Sequence, residues 1–156
     1  MKKYTDLIEE ATAQIQEVFP WDMEELEQQK DNILTIDTRE PHEYEAMRIE
    51  GSINVPRGIL ETACEWGFDE TVPELVEARH RPVVVVCRSG NRSALAAVTM
   101  QQLGYEDVYS LKTGLRGWND YELPLVDSQG NRVDPDDAEE YFTPHLRPEQ
   151  LPPEQR

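Results

Sequence analysis

The sequence predicts an α/β fold built on a mostly parallel sheet, and three observations carry that expectation. Pro82-Val83-Val84-Val85-Val86 is a continuous run without a polar face, the pattern of a strand in the middle of a parallel sheet covered on both sides. Ile33–Asp37 and Val108–Leu111 are equally short and partly β-branched, as buried strands are. Segments of helical periodicity separate these runs, and strands that alternate with helices assemble as parallel units with helices on both faces of the sheet.

Taken in order, the first element is a helix. From Thr5, a candidate N-cap, the apolar residues Leu7, Ile8, Ala11, Ile15, Val18 and Phe19 recur at helical spacing until Pro20 stops them. Asp22 and Glu25 have the spacing of a capping box for a second helix through Gln29. Strand 33–37 follows, and Pro41 suits the first turn of a helix over 42–47. Gly51-Ser52 breaks the chain before a short strand, Ile53–Pro56. Two short helices are expected at 59–65 and 71–78. After the valine strand, Ser93–Leu103 reads as a helix ended by Gly104, then comes strand 108–111 and a helix at 114–121. Beyond Asp127 proline and charge dominate without a sustained period. The expected organisation is a helical extension (1–20), a catalytic domain (21–126) and an acidic, proline-rich tail (127–156) packed through Tyr141-Phe142.

At 156 residues the chain is long enough for one domain with its own core. Its net charge of −17 all but excludes nucleic acid as the main partner, because phosphate binding draws its affinity from a basic surface. The N-terminus lacks an apolar signal core, and no run approaches the roughly 18 apolar residues of a membrane span, so a cytoplasmic protein with no membrane partner is expected. Two cysteines, Cys64 and Cys87, make no disulfide framework and suit a reducing compartment. His42, His80 and His145 show no spacing that would hold zinc, so neither metal nor cofactor is expected. Cys64 sits close to Glu61 and Glu65, whose charges disfavour a thiolate, and reads as structural.

Cys87 reads otherwise. In parallel sheets ligands sit beyond the carboxyl ends of the strands, where Cys87 stands. Arg88, Ser89, Gly90, Asn91, Arg92 and Ser93 then lead into a helix, so backbone N–H groups can curl around the sulfur with the helix dipole behind them. That field, with Arg88 and Arg92 nearby, favours the thiolate, the nucleophilic form. Gly90 gives the backbone a conformation closed to other residues, while Ser89, Asn91 and Ser93 are small and polar enough to line a pocket or cap the helix. No carboxylate occurs between Cys87 and Glu106, so the loop is a positive island in an acidic chain. Burial as an ordinary core cysteine would explain the cysteine but not the arginines and glycine beside it.

The loop Cys87-Arg88-Ser89-Gly90-Asn91-Arg92-Ser93, after a valine strand, resembles the active-site loop of the rhodanese-like sulfurtransferases. Ile36-Asp37-Thr38-Arg39-Glu40 with Glu43-Tyr44 resembles that family's first signature, and Arg48 to Pro56 its second. Gly104-Tyr105, Val108-Tyr109 and Leu115-Arg116-Gly117-Trp118 resemble its C-terminal end. The second signature departs at Arg48-Ile49-Glu50, where a histidine usually precedes the isoleucine. The resemblance implies a rhodanese-like fold with a five-stranded sheet, and the activity of a thiosulfate sulfurtransferase. By that likeness Cys87 attacks the sulfane sulfur of a donor such as thiosulfate, holds it as a persulfide and passes it to cyanide or a thiol. Arg88, at the rim, is then the contact for the donor's sulfonate, and Arg92 fixes the loop. Asp37 accepts hydrogen bonds that hold the loop or pairs with an arginine, and Arg57 reaches the same mouth. The implied partners are a small-molecule donor, a thiophilic acceptor, and a thiol or sulfur-carrier protein. A homodimer through the first helix stays open.

The nearest rival is a phosphatase or arsenate reductase, since related folds use a cysteine and an arginine to bind tetrahedral oxyanions. Their loops are longer. Here four residues, Arg88 to Asn91, separate Cys87 from Arg92, a ring better fitted to a single sulfur than to phosphate. A non-catalytic binding module is the other rival, and a complete loop around Cys87 argues against it, because a platform needs no nucleophile. The acidic surface slows encounter with anionic partners, so a neutral or basic acceptor is expected.

Overall fold

The computed structural model describes all 156 residues. Five strands, β1 (Gln16–Val18), β2 (Leu34–Asp37), β3 (Ile53–Asn54), β4 (Val83–Val86) and β5 (Val108–Leu111), form one sheet in the spatial order β1-β5-β4-β2-β3. Every neighbouring pair is parallel. All four residues of β4 are buried, and strand alternation sends Val83 and Val85 to one face and Val84 and Val86 to the other. The helices are α1 (Tyr4–Thr12), α2 (Met23–Gln29), α3 (Pro41–Ala46), α4 (Leu60–Ala63), α5 (Pro73–Val76), α6 (Asn91–Gln102), α7 (Gly114–Asp120) and α8 (Pro135–Phe142). On one face Ile36, Val83 and Val85 pack with Leu60, Leu75 and Met100 from α4, α5 and α6. On the other, Val84, Val86 and Leu111 meet Leu26, Leu115 and Phe142 from α2, α7 and α8. The α/β architecture is therefore the expected one, and it places the end of β4 at the centre of the sheet's carboxyl edge.

The chain departs from expectation at both ends. The helix expected to run from Thr5 to Phe19 stops at Thr12, and its N-cap is Lys3 rather than Thr5, with the Lys3 backbone N–H donating to the Asp6 carboxylate at 2.8 Å. Residues 16–18 of the supposed helical extension instead pair with Tyr109–Leu111, and the Val18 carbonyl accepts from the Lys112 N–H at 2.9 Å. Val18 is buried in the strand and fits the helical spacing of α1 equally well, so periodicity alone could not separate the two; the open edge of β5, with unpaired N–H and C=O groups, decides the matter. Asp22 stands at the N-cap of α2, as expected, but its side chain makes no capping bond to that helix: the carboxylate instead accepts from the Phe19 N–H at 3.4 Å and so caps the 3-10 turn Pro20–Asp22 that leads into α2.

The acidic tail contains α8, capped by Asp134, whose side chain accepts from the Asp136 N–H at 2.8 Å. Ala138 and Phe142 are fully buried against the second face of the sheet, whereas Tyr141 stays exposed. Burying a phenylalanine is worth about 1.5–3 kcal/mol, which accounts for an ordered helix in so polar a segment. Val126 exchanges backbone hydrogen bonds of 2.9 and 2.8 Å with Arg48, and Asn119 Nδ2 donates to the Pro135 carbonyl at 3.0 Å, so the segment leading to α8 is tied down. No helix is long and apolar enough to cross a membrane.

Candidate active site

Cys87 follows β4 into the loop that opens α6, and it is 1% exposed. Its sulfur accepts the N–H of Gly90 at 3.1 Å and the N–H of Ser93 at 3.3 Å, and its thiol donates to Ser93 Oγ at 3.4 Å. Ser93 Oγ lies 2.8 Å from Ser110 Oγ on the neighbouring β5, which orients it from behind. These N–H groups belong to the loop and to the first turn of a 12-residue helix, so the positive ends of several peptide dipoles converge on one atom. Such an arrangement stabilises negative charge on the sulfur, or on a second sulfur bonded to it.

The loop is held by close backbone packing. Gly90 has φ +94°, and a Cβ on it would lie 3.1 Å from the Thr113 nitrogen and 3.2 Å from the Leu111 oxygen. The Cys87 and Arg88 carbonyls accept the N–H groups of Leu115 and Arg116 at 2.9 and 3.0 Å, so the start of α7 clamps the loop from outside. Gly114 makes this contact possible: it has φ +61°, and a Cβ there would lie 2.6 Å from the Cys87 oxygen and closer still to the Arg88 carbonyl. Gly114→Ala is expected to cost about 2–4 kcal/mol and to cut activity by displacing the loop. Gly58→Ala, where nothing lies within 4 Å of the added carbon, is the control, and urea unfolding of both variants checks the difference.

Arg92 is held by a carboxylate. Its guanidinium forms a bidentate pair with Glu43 of α3, at 2.8 and 2.9 Å, and a Glu43 oxygen also accepts the Glu40 N–H at 2.9 Å. One carboxylate therefore caps α3 and ties α6 to it. Burial pushes the Glu43 carboxyl upward, but the Arg92 hydrogen bonds, the Glu40 N–H and the Arg92 charge outweigh it and hold the group at about 2, below its ordinary 4.5. Because the folded value is the lower one, this pair stabilises the protein fully above about pH 4.5, and that contribution is lost as pH falls toward 2. Glu43→Gln is expected to cost about 1–2 kcal/mol at neutral pH and to flatten the stability profile in that acid window, as read from melting temperature against pH.

Asp37, at the end of β2, pairs with an arginine, but not one of the loop. Its carboxylate accepts from Arg39 Nε at 3.0 and 3.2 Å, from Arg39 Nη2 at 2.8 Å and from the Arg39 backbone N–H at 3.0 Å. Both side chains are fully buried, and Arg39 Nη2 also donates to the Met47 carbonyl at 2.6 Å. The Arg57 guanidinium is engaged elsewhere: it donates to Glu61 at 3.0 Å and to Thr99 Oγ1 at 3.1 Å, about two turns along α6 from the loop. Arg88 is half-buried with no carboxylate within 4.0 Å. Cys64 is fully buried, and its thiol is pushed up by burial and by Glu61 and Glu65, against opposing effects of Tyr105 and Arg79, as suits a core residue.

A model of the rhodanese-like domain matches residues 22–121 of this chain. The chain belongs to the rhodanese-like family. Among its rhodanese-like relatives, a protein of Allochromatium vinosum named a sulfurtransferase is 30% identical over 100 residues, covering 64% of this chain and 84% of that one. A protein of Schizosaccharomyces pombe, provisionally named a mitochondrial thiosulfate sulfurtransferase, is 35% identical over 94 residues, covering 54% of this chain. Bacillus subtilis YrkF, provisionally named a sulfur carrier protein, is 34% identical over 83 residues, covering 53% of this chain. This chain spans 62% and 40% of the lengths of those two proteins, respectively. Of solved structures, a Rhodopseudomonas palustris protein of unknown function, with a tyrosine phosphatase suggested in its name, is similar at a TM-score of 0.71 and 28% identity, over 80% of this chain and 94% of that one. The Pseudomonas aeruginosa thiosulfate sulfurtransferase shares the fold at a TM-score of 0.62 and 22% identity, over 87% of this chain and 25% of that one.

In this rhodanese-like domain the structure gathers Cys87 and the loop through Ser93, pairs Asp37 with Arg39, and directs the Arg57 guanidinium to Glu61 and Thr99. Sequence reasoning missed Ser110, Gly114 and the partner role of Glu43. Glu43 stood within the first family-like signature, so a signal existed, but its pairing with Arg92 spans 49 positions. Ser110 and Gly114 reach the loop only because β5 lies beside β4.

Proposed function

We propose that this protein is a sulfurtransferase that carries a sulfane sulfur from thiosulfate or a related donor to cyanide or a thiol, as a persulfide on Cys87. The observation that carries this reading is the pair of N–H groups, from Gly90 and Ser93, aimed at the Cys87 sulfur at the end of the central strand. In the first step the Cys87 thiolate attacks the outer sulfur of thiosulfate, the sulfur–sulfur bond of the donor breaks, and sulfite leaves with its electron pair. In the second, a nucleophilic acceptor attacks the outer sulfur of the persulfide and Sγ departs as thiolate, stabilised by the same N–H groups. Arg88, free of carboxylate partners, is the residue assigned to the sulfonate of the donor. Names of relatives as sulfurtransferases and as a sulfur carrier support this chemistry and an acceptor that is either a thiol or a sulfur-carrier protein.

The tyrosine phosphatase suggested for one similar structure keeps oxyanion chemistry as a second reading. Against it, Arg92, the residue that would have to embrace a phosphate from the far end of the loop, is held by Glu43 instead. Intact mass after incubation with thiosulfate tests the proposal. A gain of one sulfur that disappears on adding cyanide is the expected result. No gain, with release of phosphate from an aryl phosphate, would transfer the assignment to a phosphatase.

A further inference from the structure

Where the 3-10 turn Pro20–Asp22 and α2 meet the end of α7 lies a hollow of about 270 Å³, walled by Trp21, Trp118 and Tyr121 and by Glu24 and Glu27. The three rings are fixed in place by the chain itself. Phe19 stacks on Trp21 with centroids 4.4 Å apart and planes 11° from parallel, Tyr121 meets the same indole at 5.8 Å and 62°, and Trp118 Nε1 donates to the Pro124 carbonyl at 2.9 Å. Trp21 and Tyr121 are nevertheless 49% and 53% exposed, so about half of each still faces water. Glu24 and Glu27 stand three positions apart on one face of α2, and no lysine, arginine or histidine side chain comes within 4.0 Å of either. Lys30, which shares a separate hollow with Glu27, is held by Asp107 at 3.1 Å. Arg116 lines an adjoining hollow of about 310 Å³, together with Asp120, and Trp21 and Tyr121 wall that one too.

We propose that the aromatic hollow receives an arginine side chain presented by a basic partner protein. Aromatic faces and unpaired carboxylates attract the same charge, so the walls agree on a cation. Among cations the guanidinium suits them: it is flat and weakly hydrated, lies against aromatic surface, and offers forked N–H groups to carboxylates. The volume falls below the lower end of small-molecule pockets, about 300 Å³, and holds one side chain, while the adjoining hollow continues the groove past Trp21 for the chain that carries it. A net charge of −17 steers basic partners toward this protein. Tryptophan, tyrosine and arginine are also the residues in which binding energy concentrates at interfaces. Cys87 and its loop contribute nothing to the hollow, so this site stands or falls independently of the persulfide reading.

Titration of the isotope-labelled full chain with the tripeptide acetyl-Gly-Arg-Gly-amide, followed by NMR through the tryptophan indole N–H signals, tests this. The Trp21 and Trp118 signals are expected to shift saturably, and that of Trp66, which follows α4 on the other face of the sheet, to stay in place. Replacing the arginine of the peptide by neutral citrulline is expected to weaken binding about tenfold, and Glu24→Gln with Glu27→Gln in the protein about fivefold. Equal binding of the citrulline peptide overturns the proposal, as does unchanged affinity in the double variant. A lysine tripeptide that binds more tightly than the arginine one overturns the choice of guanidinium. Methylguanidinium binding as tightly as the tripeptide overturns the partner protein in favour of a free small cation.

Discussion

Cys87→Ser is expected to lower sulfur transfer from thiosulfate to cyanide by at least about a thousandfold while leaving the melting temperature nearly unchanged. Serine is close in size to cysteine, and its oxygen can still accept the N–H groups of Gly90 and Ser93 that now hold the sulfur. What it lacks is the nucleophilicity of sulfur: the Cys87 side chain bonds only to Gly90 and Ser93, neither of which is a base that could activate a hydroxyl in its place. Nor can an alkoxide hold a transferred sulfur through the weak, exchangeable bond that turnover requires. Steady-state cyanide consumption and thermal melting of both proteins check the two halves of this expectation. A variant that keeps a tenth or more of the activity would place the chemistry outside the loop.

Asp37→Ala is expected to be the most destabilising single change in the neighbourhood of the site, at about 3–5 kcal/mol, lowering the melting temperature by roughly 10 °C. The cause is not the loss of attraction alone. Arg39 is fully buried, its Nε and Nη2 are satisfied by Asp37 and the Met47 carbonyl, and its Nη1 already has no partner in the chain. Removing the carboxylate strands a cation that water cannot reach. Because a buried pair is costly to desolvate, removing both charges is milder: Asp37→Leu with Arg39→Met is expected to recover most of the loss. Equal destabilisation by the single and double variants in urea titrations would show that the shape of the pair, rather than its charge, holds β2 to α3.

The sheet was legible in the sequence because its strands are buried on both faces and announce themselves locally. Four consecutive valines cannot be an exposed helix face or a half-buried strand, and β4 is fully buried as that pattern requires. β1 was not legible, since Ile15, Val18 and Phe19 continue the spacing of α1, and the hydrogen bonds that draw residues 16–18 into an extended conformation come from β5, more than ninety positions away. α8 was hidden by composition: Ala138 and Phe142 alone among many carboxylates supply its buried face, and a sequence window records how few apolar residues there are, not how completely each is buried.

The same division runs through the site. Cys87 and its loop were readable because a loop between a strand and a helix is contiguous: the cysteine, the glycine that turns the backbone and the N–H donors lie within seven residues, from Cys87 to Ser93. Which arginine faces what was not, because local sequence gives a charge but not its partner. Arg88 and Arg92 look alike four residues apart, yet Glu43 of α3 occupies one and nothing occupies the other. The sequence by itself determined the fold class and the N–H donors that surround the Cys87 sulfur, all set by short-range stereochemistry and burial. Only the tertiary structure decided that Asp37 serves Arg39, that Arg57 binds Glu61 and Thr99, and that Lys112 and α1 lie beside the loop. Those outcomes depend on which elements the sheet order makes neighbours, and no local pattern encodes a pairing between residues dozens of positions apart.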